Sequence, residues 1–191
     1  MVGAGRGSVA AANEDQARFR AVVLPHLADA YALARWLTGN SSDAEDVVQE
    51  ASLRAFRAIG GYAGGNARAW LLAITRNAAF TWLAKNRSAT VVGVDDLEKV
   101  ERSEMARELP MDGNPEAELI AKADAQQLEA AIAQLPVPFR EALVLRDVQG
   151  LDYREIAQVT KVPIGTVMSR LARARGRLIA SMGSQPSTGK T

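Results

Sequence analysis

Residues Pro163 to Leu178 read PIGTVMSRLARARGRL, with four arginines and no acid. Arg170, Arg173 and Arg177 fall at i, i+3 and i+7, so one helical face carries them together. Val167, Leu171, Ala174 and Leu178 recur at i, i+4, i+7 and i+11 on the adjacent face. The spacing predicts a helix that buries one side and presents uncompensated positive charge beside it. Upstream, LDYREIAQVTK (Leu151–Lys161) opens on Asp152 and Glu155, a D-x-x-E start signal, and packs through Ile156, Ala157 and Val159. The VPIG turn joins the two. Two short helices with a tight turn between them, the second basic, describe a helix-turn-helix. Its second helix is expected to offer Thr166, Ser169, Arg170 and Arg173 to a DNA groove. A solvated basic helix of an ordinary bundle is the plainer reading. It is disfavoured because surface helices usually mix signs.

Outward from this motif the chain remains helical in character. Of its 191 residues 48% are apolar and only 5% aromatic, and no segment alternates like a strand. Residues 14–23 predict a short helix, and PHLADAYALARWLTGN (residues 25–40) a second, with Pro25 in the first turn and Gly39 as its stop. SSDAEDVVQEASLRAFRAI follows, with Ser42 and Glu45 spaced as a capping box. GGYAGGN (residues 60–66) is a glycine loop. Asn66 then caps ARAWLLAITRNAAFTWLAKNR, in which Trp70 and Ile74 are expected to be core. Residues Pro115–Gln134 and Phe139–Asp147 predict two more helices, broken by LPVP. Residues 1–13 and those beyond Ser181 are expected to be disordered tails.

The formal net charge of +1 points to no partner, but its distribution does. Residues 68–87 contain Arg68, Arg76, Lys85 and Arg87 with no acid, and residues 161–182 are equally acid-free. Between them, residues 95–118 hold nine acids, the mark of a linker rather than a folded face. Two basic modules flanking an acidic connector are expected. The acids at the start of the third helix complement its dipole. That explains Asp43, Glu45 and Asp46 but not Gln49 and Glu50 further in, for which a protein partner is the alternative.

Several classes are excluded. There is no cysteine and a single histidine, His26, so thiolate metal sites and histidine clusters are ruled out and His26 is read as structural. SQPSTGKT near the C-terminus fails as a phosphate loop, since Ser184 stands where its first glycine belongs. GAGRGS has no preceding strand to make it a dinucleotide fingerprint. No apolar run approaches a membrane span, and MVGAGRGSVAAA lacks the apolar core of a signal peptide. A cytoplasmic protein with no small-molecule substrate, no cofactor and no membrane insertion is expected.

Taken together, these stretches resemble an extracytoplasmic-function sigma factor, the small two-domain class of bacterial RNA polymerase initiation subunit. WLTGNSSDAEDVVQEASLRAF is similar to the family's region-two motif. ARAWLLAITRNAAFTWLAKNR is similar to its helix that melts and reads the minus-ten element. LPVPFREALVLRDVQGLDYREIAQVTKVPIGTVMSRLARARGRL is similar to the region-four module that reads the minus-thirty-five element. The resemblance implies an all-α chain: a region-two domain over 14–88, a flexible acidic linker over 89–116 and a region-four helix-turn-helix domain over 117–181, with a tail from 182. It implies that Asp43, Glu45, Asp46, Gln49 and Glu50 dock on core RNA polymerase. Tyr62, Asn66, Arg76 and Asn77 would serve the minus-ten element, and Thr166, Ser169, Arg170 and Arg173 the minus-thirty-five element. An anti-sigma factor is the implied regulator, and no catalytic residue is expected. Thr81, Lys85 and Met168 depart from residues common in the family, which bears on promoter sequence rather than on class. A free-standing helix-turn-helix regulator and a nucleic-acid enzyme are the competing classes. The second would need a carboxylate cluster, which residues 68–87 lack.

Overall fold

The computed structural model describes the backbone of residues 5–86 and 115–183, and the side chains of 13–86 and 124–182. Among the described residues there are eight α-helices and no strand. The first half comprises α1 (Gly5–Val22), a 3-10 turn at Leu24–His26, α2 (Leu27–Thr38), α3 (Ser41–Ala58) and α4 (Ala67–Asn86). The second comprises α5 (Pro115–Ala133), α6 (Val137–Leu143), a π-helical turn at Val144–Val148, α7 (Tyr153–Thr160) and α8 (Ile164–Gly183). No helix among the described residues is long and apolar enough to cross a membrane.

In the first half, α2, α3 and α4 pack against one another. Their contact face is built from Leu33, Leu37, Val47 and Leu72 with Ala34, Ala44, Ala51 and Ala79 between them. The alanines let the helix axes approach closely, and the few large side chains interdigitate across the gap. A smaller cluster under α1 joins Val23, Ala30, Ala55, Ile59 and Leu71, with Phe19 and Trp70 packed against it. Trp70 and Ile74 are only partly buried, so both edge the core rather than fill it. In the second half Val167, Leu171 and Ala174 are buried, and Leu178 is half-buried, as their spacing predicts. They meet Ile156 and Val159 of α7, Leu143 of α6 and Val144 and Leu145 of the π turn.

The helix ends show where local chemistry decides boundaries. Asp152 accepts from the backbone N–H groups of Arg154 and Glu155, and Glu155 reaches back to the N–H of Asp152, a complete capping box. At α3 the expected box of Ser42 and Glu45 is not the one used. Asn40 is the cap, its side chain accepting from the Asp43 N–H at 2.8 Å. Gly39, left-handed at φ 94°, turns the chain so that Asn40 arrives extended. Asn caps at least as well as Ser, and capping from residue 40 starts the helix earlier. Three other boundaries differ from expectation. Helix α1 begins at Gly5, because its alanine-rich start propagates a helix through residues whose glycines suggest a tail. Helix α6 begins at Val137 and passes into the π turn, closed by the Gln149 N–H on the Val144 carbonyl at 2.8 Å. Helix α8 runs on to Gly183. Of the linker expected over 89–116, residues up to 114 lie outside the described residues, whereas Pro115 and Glu116 begin α5; the tail from 184 also lies outside them.

The two halves also pack on each other, α2 against α6 and α4 against α7. This docking brings the functional candidates together. Replacing Asn40 with Ala should lower the stability of the chain by ~0.5–2 kcal/mol in urea unfolding, and Ser42→Ala by a few tenths at most. The reverse order would return the cap to Ser42.

Candidate nucleic-acid interface

Helix α3 carries the acidic candidates. Asp43 is engaged with the side chain of Asn40, and Glu50 pairs with Arg54 at 2.7 Å. Glu45, Asp46 and Gln49 are exposed. Asp46 and Gln49 share a face with Leu53 and Phe56, at i, i+3, i+7 and i+10. Those two apolar side chains stand 53% and 45% exposed, on a helix whose opposite face is already buried. They complete an amphipathic stripe suited to a protein partner, and residue-type reasoning passed over them. The signal was present: both fall off the Val47, Ala51, Ala55 row that packs inward.

The glycine loop before α4 is tied down rather than loose. The Tyr62 hydroxyl donates to the Gly65 carbonyl at 2.8 Å, and its ring lies 4.9 Å from that of Trp70. Arg18 donates to the Tyr62 carbonyl, with its guanidinium 5.9 Å from the ring centroid. Gly64 and Gly65 both hold positive φ, which is what lets so tight a loop close. Asn66 caps α4 as expected, accepting from the Ala69 N–H at 2.9 Å. Its amide also donates to Glu155 of α7. Asn77 is exposed one residue beyond Arg76, which lies over the Phe80 ring at 4.3 Å and donates to Glu141 of α6.

On α8, Thr166 is half-buried and Ser169 donates back to its carbonyl at 3.0 Å. Arg173 is exposed. Arg170 sits 3.8 Å from the Glu141 carboxylate. Arg175 pairs with Asp147 at 2.8 Å, and Arg177 stacks on Phe139 at 5.1 Å. The helix therefore has compensation after all. It comes from α6 and the π turn rather than from its own sequence, which is why a reading along the helix missed it. Met168 and Ile164, one turn apart on α8, stand exposed.

Beside the Asn66–Glu155 bond and the donation of Arg140 to the Trp36 carbonyl at 3.1 Å, two larger polar nodes join the halves. Arg68 of α4 donates to both carboxylate oxygens of Asp29 at 2.7 and 3.1 Å. The same guanidinium donates to the carbonyl and the side-chain oxygen of Gln149, each at 2.6 Å. Gln149 completes the node by donating to the Asp29 carbonyl at 3.3 Å. At the second node Glu141 is buried and receives Arg76 and Arg170. Burial pushes its carboxyl above the ordinary glutamate value, while hydrogen bonding and charge from Arg76, and charge from Arg170, pull it back down. Thus the structure gathers Asn66, Arg76 and Arg170 at the seam between the halves. It leaves Asn77, Ser169 and Arg173 on open surface.

An α-helical bundle followed by a helix-turn-helix, each with a basic helix, defines a nucleic-acid-binding protein of two linked modules. The Sigma-70 region 2 family model matches residues 22–89, and the Sigma-70 region 4 model matches residues 125–178. The chain is 39% identical over 137 residues to the ECF RNA polymerase sigma-E factor of Escherichia coli K12, covering 71% of each. It is 35% identical over 158 residues to the ECF RNA polymerase sigma factor SigE of Mycolicibacterium smegmatis, spanning 82% of this chain and 58% of that relative. Among solved structures it resembles the sigma factor RpoE of Bartonella quintana, crystallised with the anti-sigma factor NepR. The TM-score is 0.64 at 28% identity, covering 88% of this chain and 98% of that one. CnrH, solved with the cytosolic domain of CnrY, shares the fold at TM-score 0.60 and 24% identity, over 93% and 96% of the two chains. The chain belongs to the extracytoplasmic-function sigma factors of the sigma-70 family.

The Arg68 node carries a direct test. Arg68→Ala should cost about 1–3 kcal/mol in urea unfolding, because it strands partly buried acceptors on both halves. Arg68→Lys should recover only part of this, since one ammonium cannot reproduce the planar fork. Equal stability of all three proteins would show that the node contributes nothing.

Proposed function

We propose that this chain directs core RNA polymerase to promoters and has no catalytic activity of its own. The observation that carries the proposal is the exposed stripe of Asp46, Gln49, Leu53 and Phe56 on α3, on the same chain as two basic helices. Asp43, Glu45 and Glu50 flank this stripe as the polymerase-docking segment. The module over 14–88 would melt and read the minus-ten element through Tyr62, Asn66, Arg76 and Asn77. The module over 117–181 would read the minus-thirty-five element through Thr166, Ser169, Arg170 and Arg173. Residues 89–116 would link them. The work belongs in the cytoplasm, where polymerase and promoter are. The complex of the Bartonella relative with NepR supports an anti-sigma factor as the partner that restrains this chain too.

The physics of such a device is additive binding. Each module holds a short promoter element weakly, and polymerase fixes their spacing, so the second contact forms at high effective concentration. Extruding a base from the duplex costs a few kcal/mol, offset by contacts in a pocket that accepts it. Specificity is then a property of the holoenzyme. Purified chain alone should give no sequence-specific footprint on promoter DNA, whereas addition of core polymerase should give one. Tight footprinting by the chain alone would identify a free-standing regulator.

Asp46→Arg combined with Gln49→Ala should weaken binding to core polymerase about ten-fold or more, roughly 1.4 kcal/mol, with an unchanged circular dichroism spectrum. Leu53→Asp should do the same from the apolar part of the stripe. Full affinity in both variants would remove α3 from the polymerase interface. Arg173→Ala tests α8. If Arg173 contacts guanine with both nitrogens, run-off transcription at limiting polymerase should fall roughly 5- to 150-fold, the equivalent of about 1–3 kcal/mol, on promoters with that base and less on the others. An equal loss on every upstream variant would make Arg173 a phosphate contact.

A further inference from the structure

Glu141 is the one acid or base among the described residues that is fully buried. A carboxylate so placed needs partners, because attraction must offset the water it has lost. Its partners come from the two helices proposed to meet DNA. Arg76 of α4 approaches both oxygens, through Nε to Oε1 and through a terminal nitrogen to Oε2 at 3.5 Å. Arg170 of α8 approaches Oε2 at 3.8 Å. The side chain of Glu141 is 1% exposed, that of Arg76 16% and that of Arg170 24%. Asn77 and Arg173, their neighbours on the same helices, remain exposed.

We propose that Glu141 is an internal counter-ion that holds the chain closed, withdrawing Arg76 from nucleic acid until the two halves part. The inference rests on α4 and α8 being the DNA-contacting helices. Its logic lies in which contacts cross between halves. Glu141 and Arg170 belong to the same half, where α6 packs on α8. Of these three side chains, Arg76 alone reaches across. When the halves separate, Arg76 is released into solvent and Glu141 keeps Arg170. The carboxylate is then a latch for one arginine and a positioning partner for the other.

The charge count makes the latch sensitive to a single proton-sized change. One carboxylate separates two guanidinium groups. Glu141→Gln leaves two cations facing each other across the seam, so attraction becomes repulsion. Arg76→Gln removes only the crossing contact and leaves the Glu141–Arg170 pair in place. The first substitution should therefore open the chain further than the second. The double variant should open less than the two effects added, because both act on one node. The Arg68, Asp29 and Gln149 node remains in every variant, so opening appears as a shift of population rather than complete separation.

The full-length chain suits a distance measurement because it contains no cysteine. Arg57→Cys on α3 and Gln158→Cys on α7 lie at exposed positions, one on each half. Spin labels there report the separation by double electron–electron resonance. The expected result is a single compact distribution for the labelled parent. Glu141→Gln should add a longer population, and Arg76→Gln a smaller one. If Glu141→Gln fails to fold, Arg76→Gln decides alone, since it alters the opposite half and leaves α6 intact. Identical distributions for the parent and Arg76→Gln, or for the parent and folded Glu141→Gln, overturn the proposal. A second readout is affinity for a single-stranded minus-ten oligonucleotide. It should rise at least about three-fold in Glu141→Gln, as the competent fraction grows. A distance shift without that gain upholds the latch and overturns the DNA role of Arg76.

Discussion

A carboxylate taken out of water at the junction of α4, α6 and α8 constrains the whole arrangement. Glu141 sits among Ala142, Leu143 and Val144, all buried, in a segment too apolar to lie on a surface. That segment must face inward, and the charge it carries must be answered there. The answer determines which side chains α4 and α8 turn toward the seam. Arg76 lies along Phe80 and ends on the carboxylate, while Arg170 lies 3.8 Å from its Oε2. The alanine-rich face of α4 remains free to pack against α2 and α3. One helix thus serves an apolar interior on one flank and a polar junction on the other.

The same junction links local helix chemistry to assembly. Asn66 caps α4 with its oxygen and offers its nitrogen to Glu155. Glu155 in turn closes the capping box of α7. A side chain that begins one helix is therefore bonded to a side chain that begins another in the opposite half. Disturbing the seam also disturbs two helix starts. Local opening at this place would engage the ends of α4 and α7 before their centres.

Most of the secondary structure was legible because its signals are short-range. The apolar row of Val167, Leu171 and Ala174, the Asp152–Glu155 box and the Gly39 stop need only neighbours a turn away. Asn40 was passed over because Ser42 and Glu45 offer an equally good local pattern, and only the backbone chooses between them. The π turn had no signature, since Val144–Val148 contains no glycine or proline to mark a change of helical pitch. Individual candidate residues were legible by type but not by state. Nothing near Arg170 in the chain announces Glu141, which lies in a different helix. Nothing near Arg68 announces Gln149. Contacts of this range depend on how the halves dock, and composition carries no trace of it.

The pairing of α8 has a consequence for electrolyte. Positive side chains free in solution release condensed cations from a duplex when they replace them, and each such exchange steepens the dependence of affinity on salt. Arg175 and Arg170 already hold anions of their own, Asp147 and Glu141. Trading a carboxylate for a phosphate leaves that carboxylate to gather cations from solution, which cancels the gain in solvent entropy. On the proposed reading of α8, Arg173 would contribute fully to counterion release, and the two paired arginines far less. A helix bearing four arginines should show the salt dependence of one bearing about half as many, so it would hold its promoter more evenly as the ionic strength of the cell rises and falls.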